Sequence, residues 1–137
     1  MGQGYGFNCL QCGNQEDLLE GQGFMLHGLS VKEYLDHPFL KFHPSTHKKI
    51  IQLDKKIRGL QIYCAYQGFL CPKCNIPYSK LYVEVYKGNC TYHQSFFRCT
   101  HCNHELTEQK IKNNKVYHCP KCLEHALVYN GVDIMWD

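Results

Sequence analysis

Four Cys-x-x-Cys pairs, Cys9/Cys12, Cys71/Cys74, Cys99/Cys102 and Cys119/Cys122, take up eight of the ten cysteines in this 137-residue chain. A two-residue spacer lets both thiolates of a pair turn toward one point, and four such thiolates complete the tetrahedral shell of a Zn2+ ion. The count therefore fits two four-thiolate metal sites, with all eight residues as ligands. At this length the hydrophobic core is adequate but not generous, so bound metal is expected to be part of the folding free energy. Aromatic residues make up 13% of the chain, including ten Tyr and seven Phe. That composition belongs to a folding chain rather than a disordered one.

Paired cysteines mean metal in a reducing compartment and disulfides outside it. The start, Met1-Gly-Gln-Gly-Tyr-Gly, has no basic cluster and no apolar stretch behind it, and no apolar run reaches membrane-spanning length. Gly6 stands where a myristoylation signal needs Ser or Thr. A cytoplasmic address and no membrane partner are thus expected. The formal charge of +3 counts every cysteine as neutral. Eight thiolates remove eight charges and two divalent ions restore four, leaving about −1, which takes away the broad basic excess of a phosphate-gripping protein.

Along the chain, Tyr5 to Gly13 reads as a strand running into a knuckle, and the Gly21-Gln-Gly-Phe-Met-Leu stretch as a second strand returning on it. Ser30-Val-Lys-Glu33 has the capping-box form and opens a short helix that Pro38 stops. A second start at Pro44-Ser45-Thr46 leads into Ile50, Leu53, Ile57, Leu60 and Cys64, spaced at three and four residues. That period predicts a helix from about 46 to 58, with Gly59 as a stop or an interruption before Cys64. Residues 78–86 alternate as a half-buried strand, Lys87-Gly88-Asn89 turns, and 91–98 returns as its partner. The tail from Ala126 to Trp136 reads as a strand broken at Asn130-Gly131, with Trp136 packed on a metal module.

Sixteen residues separate Cys102 from Cys119, within the spacing of about 15–20 that lets two knuckles share one metal. That choice leaves Cys9, Cys12, Cys71 and Cys74 for the other site across 58 residues, which an insertion from about 28 to 66 would span at small entropic cost. The rival arrangement joins Cys71/Cys74 to Cys99/Cys102 across 24 residues and lets the terminal pairs meet. Through Cys99-Thr-His-Cys102 and Cys119-Pro-Lys-Cys122, residues 97–129 resemble a rubredoxin-like zinc ribbon. The opening Gly2-Gln-Gly-Tyr-Gly-Phe-Asn-Cys9-Leu-Gln-Cys12-Gly13 together with the four knuckles makes the whole chain resemble small bacterial double zinc-ribbon proteins, a likeness that brings no activity with it. Asn75, Asn103 and Leu123 depart from it, standing where ribbons often place Gly. The expected architecture is α+β: two small antiparallel zinc ribbons, one over 1–90 with the helical insertion and one over 91–137.

Functional expectations follow from the donor set. Four cysteines fill a metal's shell and leave no place for a reacting water, His104-Glu105 lacks the second His of a metalloprotease helix, and no cysteine follows a Pro as the deaminase pattern requires. A non-enzymatic protein carrying two structural Zn2+ and binding a protein partner, with no small-molecule substrate, is therefore the leading expectation. Lys48, Lys49, Lys55, Lys56 and Arg58, on or near the second helix, support an alternative nucleic-acid binder. Rubredoxin-like knuckles also hold iron, so an iron electron carrier is a third. Cys64 and Cys90 read as packing residues. His101, His104, His118 and His125 crowd the last two knuckles as neighbours of the sulfurs.

Overall fold

Residues 61–70, Gln-Ile-Tyr-Cys-Ala-Tyr-Gln-Gly-Phe-Leu, decide the architecture, because they form the strand around which the others assemble. In the computed structural model, which describes residues 2–22 and 28–136, the order is β1 (Gly2–Cys9), β2 (Gln15–Gly21), β3 (Leu29–Ser30), α1 (Val31–Asp36), α2 (Pro44–Lys56), β4 (Gln61–Leu70), β5 (Pro77–Lys87), β6 (Cys90–Gln94), β7 (Thr107–Glu108) and β8 (Leu127–Trp136). They make one sheet with the path β6-β5-β4-β2-β1-β8, and β3 and β7 also pair with β4. One large, mostly antiparallel sheet with two short helices thus replaces the expected pair of small ribbons.

The error in the sequence reading has a local cause. Ile57, Leu60 and Cys64 continue the helical spacing of α2, but the helix ends at Lys56, where Ile57 is an extended cap at φ −131°, and Gly59 at φ +77° then turns the chain. Beyond Gly59 the same apolar residues serve a strand, with Ile62 and Cys64 buried. A short apolar run satisfies both periods, and here the aromatic and β-branched content was the better guide. β4 pairs with β5 along its full length, from Gln61 opposite Tyr86 to Leu70 opposite Pro77. Its other edge is divided among β3 at Gln61–Ile62, β2 at Tyr66 and β7 at Phe69–Leu70.

Both helix starts fall where the sequence puts them. Ser30 Oγ accepts the Glu33 N–H at 3.1 Å and Glu33 Oε1 accepts the Ser30 N–H at 3.3 Å, a closed capping box. Pro44 opens α2 and His43 caps it through Nδ1, which accepts the Ser45 N–H. α2 buries Ile50 against a core of Leu29, Val31, Tyr34, Ile62, Cys64 and Val85, with Leu53 and Ile57 packed against it. Two further cores, centred on Phe7, Tyr117 and Leu127 and on Phe69, Ile76 and Leu106, each include metal-type cysteines.

The expected hairpin from β5 to β6 is present, turned through Gly88 at φ +58°. The expected second strand instead lies earlier, as β2, and residues 23–26 of that reading fall outside the described residues. β8 is one continuous strand; Asn130-Gly131 forms an irregularity where its register against β1 shifts between Tyr5 and Phe7. Trp136 does not reach a metal module. It lies opposite Gly2 in the β1–β8 pairing and meets Tyr66 edge to face at 5.3 Å.

Burial of Cys64 pushes its thiol up to about 11 from an ordinary value near 9. A raised value in the folded state means that the thiol's contribution is complete below pH 9 and is lost as pH rises through about 11. Stability should therefore fall over that window, by less in Cys64→Ala. At neutral pH, alkylation of the metal-loaded protein should label exposed Cys90 and spare Cys64, as peptide mass spectrometry will show.

Candidate metal centres

All four Cys-x-x-Cys segments fold into the same knuckle. In each, the residue after the second cysteine is left-handed: Gly13 at φ +77°, Asn75 at +55°, Asn103 at +61° and Leu123 at +65°. Its N–H donates to the carbonyl of the first cysteine, at 3.0, 2.8, 2.9 and 2.9 Å respectively. The first cysteine's own N–H closes the loop onto the carbonyl of Asn14, Ile76, His104 or Glu124. The three departures from Gly thus keep the geometry that Gly usually supplies; Asn tolerates it well, and Leu123 accepts the greater strain.

Strand register then decides which knuckles meet. β1 leads into the first knuckle, and antiparallel pairing puts Cys9 opposite Leu127 at the start of β8, just after the fourth. The β4–β5 hairpin carries the second knuckle at its tip. The third, framed by an Arg98–Glu105 bridge, runs into β7, which pairs with the end of β4. Cys9, Cys12, Cys119 and Cys122 therefore form one cluster and Cys71, Cys74, Cys99 and Cys102 the other, the sulfurs of each lying within 4.8 Å of one another. The eight expected ligands are all used, but the favoured pairing is corrected to the rival one, with the second centre nested inside the first. Residues 103–118, whose length fits a hairpin between two knuckles of one site, include β7, which is committed to β4.

The sulfur geometry fits a metal. Cys9–Cys122, Cys12–Cys119 and Cys71–Cys102 sulfurs lie 3.5, 3.7 and 3.4 Å apart, near the roughly 3.8 Å edge of a tetrahedron with bonds of about 2.3 Å. A disulfide would need about 2.05 Å. Backbone N–H groups of Cys12, Cys74 and Lys121 point at Cys9, Cys71 and Cys119 sulfurs, each at 3.4 Å. These donors favour thiolate.

Charge makes the same point. The Cys12 N–H chiefly lowers Cys9 to about 7. For Cys99 burial works upward but is overcome by the Tyr78 hydroxyl and nearby N–H groups, leaving it at about 6. Burial and the Cys102 and Cys71 sulfurs push Cys74 up to about 12. At Cys122 the Glu124 N–H pulls downward, yet burial and the Cys9, Cys12 and Cys119 sulfurs raise it to about 12. Each cluster thus ionises its first thiols readily and resists its last, a repulsion that a bound cation cancels. Two bound metal ions are compatible with the two clusters.

Two supporting residues, Tyr78 and Asn14, carry no signal in the sequence because only the fold brings them near. The Tyr78 hydroxyl lies 3.2 Å from Cys99 Sγ and from Thr100 Oγ1. Asn14 Nδ2 lies 3.7 Å from Cys119 Sγ. The centres are bridged directly: the His118 N–H donates to the Asn75 carbonyl at 3.0 Å, and the Asn75 amide meets His118 Nδ1 at 3.1 Å. Removing the hydroxyl in Tyr78→Phe should weaken metal at the inner centre by about 10-fold or more and leave the outer centre unchanged, as chelator competition will show.

The histidines stay outside the ligand sets. His104 gives only its carbonyl, to the Cys99 N–H, and the His118 and His125 rings meet with Nδ1 atoms 3.3 Å apart. Lys48, Lys49, Lys55, Lys56 and Arg58 are all exposed, on α2 or just after it. Among the described residues no helix is long and apolar enough to cross a membrane. No protein-family model matches the chain, and no curated protein or solved structure gives a significant match.

Proposed function

We propose that this chain is a non-enzymatic protein whose two structural Zn2+ ions fasten an interaction surface for another protein. The observation that carries the reading is the donor set: each centre is a closed ring of four cysteine sulfurs on rigid knuckles. Zn2+ held in this way stabilises a fold and keeps no open position for a reacting water. The outer centre also presents apolar side chains: Leu10, on the first knuckle, is 77% exposed, and Leu123, on the fourth, is 39% exposed. Apolar residues held out on a metal-fixed loop favour a partner surface, as does a charge near −1.

Elemental analysis tests the metal: two Zn2+ per chain are expected, and iron with a visible thiolate band would contradict the assignment. A partner crosslinked by the metal-loaded protein should be lost with Leu10→Asp/Leu123→Asp while both metals stay bound. A free monomer with no partner would contradict the reading. The exposed cations of α2 favour a second reading, nucleic-acid binding. Binding that weakens steeply with salt and falls in Lys55→Gln/Lys56→Gln/Arg58→Gln would establish it, and no binding at low salt would end it.

A further inference from the structure

The fourth knuckle is the tip of a small hairpin. Tyr117 and Leu127 exchange both backbone hydrogen bonds at 3.0 Å, which holds His118, just before the knuckle, against His125, just after it. Their rings meet with centroids 4.7 Å apart and planes 62° from parallel. The second knuckle supplies a third group. Asn75 holds the left-handed place after Cys74, and its carbonyl accepts the His118 N–H at 3.0 Å, which sets its side-chain amide beside the same ring. His125 is exposed and His118 and Asn75 are half-buried, so the cluster lies at the surface.

Hydrogen bonding alone does not satisfy these three groups. His118 Nδ1 lies 3.1 Å from the Asn75 amide nitrogen and 3.3 Å from His125 Nδ1. An imidazole nitrogen has either one hydrogen or one lone pair in the ring plane, so it serves only one of these contacts well. If it accepts from Asn75, the His125 contact is left over; if it donates to His125, the Asn75 amide hydrogens face another hydrogen. The same two ring nitrogens are spaced for a metal: with bonds of about 2.0–2.1 Å, a tetrahedral Zn2+ holds nitrogen ligands roughly 3.3–3.4 Å apart. A half-turn of the Asn75 amide, which exchanges Oδ1 for Nδ2 in nearly the same space, adds an oxygen donor. Charge favours a cation here as well. Four thiolates around one divalent ion leave each cysteine centre at about −2, and the cluster touches both, His118 adjoining Cys119 and Asn75 adjoining Cys74.

We propose that His118, His125 and Asn75 form a third metal site, which takes a labile Zn2+ ion at the junction of the two four-cysteine centres. Two ring nitrogens and one carbonyl oxygen suit a borderline divalent transition-metal ion rather than Mg2+. Three neutral ligands hold an ion more weakly than four thiolates do, so buffer-exchanged protein keeps its two ions and takes up the third reversibly. Because its ligands come from both metal modules, this ion clasps the outer centre to the inner one. The inference does not depend on the partner surface proposed above.

The test is a Zn2+ titration of the metal-loaded full chain after buffer exchange, read from imidazole nitrogen chemical shifts. A single added ion should move Nδ1 of both His118 and His125 saturably and leave His101 and His104 in place, and Mg2+ should move neither. Loss of one ligand in His125→Gln, whose side chain is exposed, should weaken uptake at least about 10-fold. Asn75→Gly should weaken it as well, with the knuckle intact because Gly already fills the equivalent place at Gly13. No saturable shift at submillimolar Zn2+, equal shifts at all histidines, or unchanged uptake in His125→Gln would overturn the site. Unchanged uptake in Asn75→Gly would overturn the clasp between the centres, and an equal response to Mg2+ would overturn the nitrogen coordination.

Discussion

Replacing Cys119 and Cys122 together by Ser should reduce bound metal from two ions to one and expose Cys9 and Cys12 to alkylation, while Cys71, Cys74, Cys99 and Cys102 stay protected. The outer centre joins residues 113 and 107 positions apart in sequence, so its loss unfastens β1 from β8 as well as two knuckles from each other. A structural Zn2+ site contributes an apparent 10–16 kcal/mol, roughly. That is comparable to the whole stability of a domain, roughly 5–15 kcal/mol. The inner centre keeps its four sulfurs and the full β4–β5 pairing, so it should hold its ion. Had Cys99/Cys102 shared a metal with Cys119/Cys122, the same variant would expose Cys99 and Cys102 instead. Peptide mass spectrometry after alkylation separates the two outcomes.

Gly68→Val should destabilise the protein by about 1–3 kcal/mol or more in a denaturant titration. A Cβ at Gly68 would come within 2.5 Å of the Gln109 carbonyl oxygen and 2.8 Å of Ile111 Cγ1. The carbonyl belongs to backbone, and the Gln109 N–H already donates to the Gly68 carbonyl at 2.9 Å, so the chain cannot simply step aside. The contact lies where the segment after β7 crosses β4, the crossing that delivers the third knuckle to the second. Gly13→Asn is the control. Nothing lies within 4 Å of its Cβ position, and Asn75 and Asn103 already occupy the equivalent left-handed place in two other knuckles, so the change should be nearly neutral.

The chemistry of the centres was legible in the sequence, whereas their partnership was not. A Cys-x-x-Cys segment carries its own geometry, so each knuckle could be read from a handful of residues. The same is true of the Ser30–Glu33 capping box, of α2 and of the turn at Gly88, all set by neighbours in sequence. Which knuckles meet depends instead on β1 lying against β8 and β7 against β4, and loop closure costs too little for spacing to forbid long connections. The 16-residue interval from Cys102 to Cys119 satisfied a spacing rule that the commitment of β7 to β4 overrode. Cys64 shows another limit: its spacing from Ile57 and Leu60 fits a helix, which left the end of α2 open in the sequence, and only the structure puts that end at Lys56 with Ile57 as an extended cap.

Nesting also gives the two centres different roles in stability. The inner one is tied within a single stretch, with Cys71 and Cys102 only 31 positions apart, and its strands are continuous with the core beneath the helices. The outer one fastens the two ends of the sequence around it, and the Asn75–His118 contact links the two.

The most direct test of this nested pairing is NMR of the protein loaded with spin-active cadmium, correlating each ion with the β-protons of the cysteines bound to it. One cadmium should couple to Cys9, Cys12, Cys119 and Cys122 and the other to Cys71, Cys74, Cys99 and Cys102. A cadmium coupled to both Cys9 and Cys71, or to both Cys99 and Cys119, would contradict it.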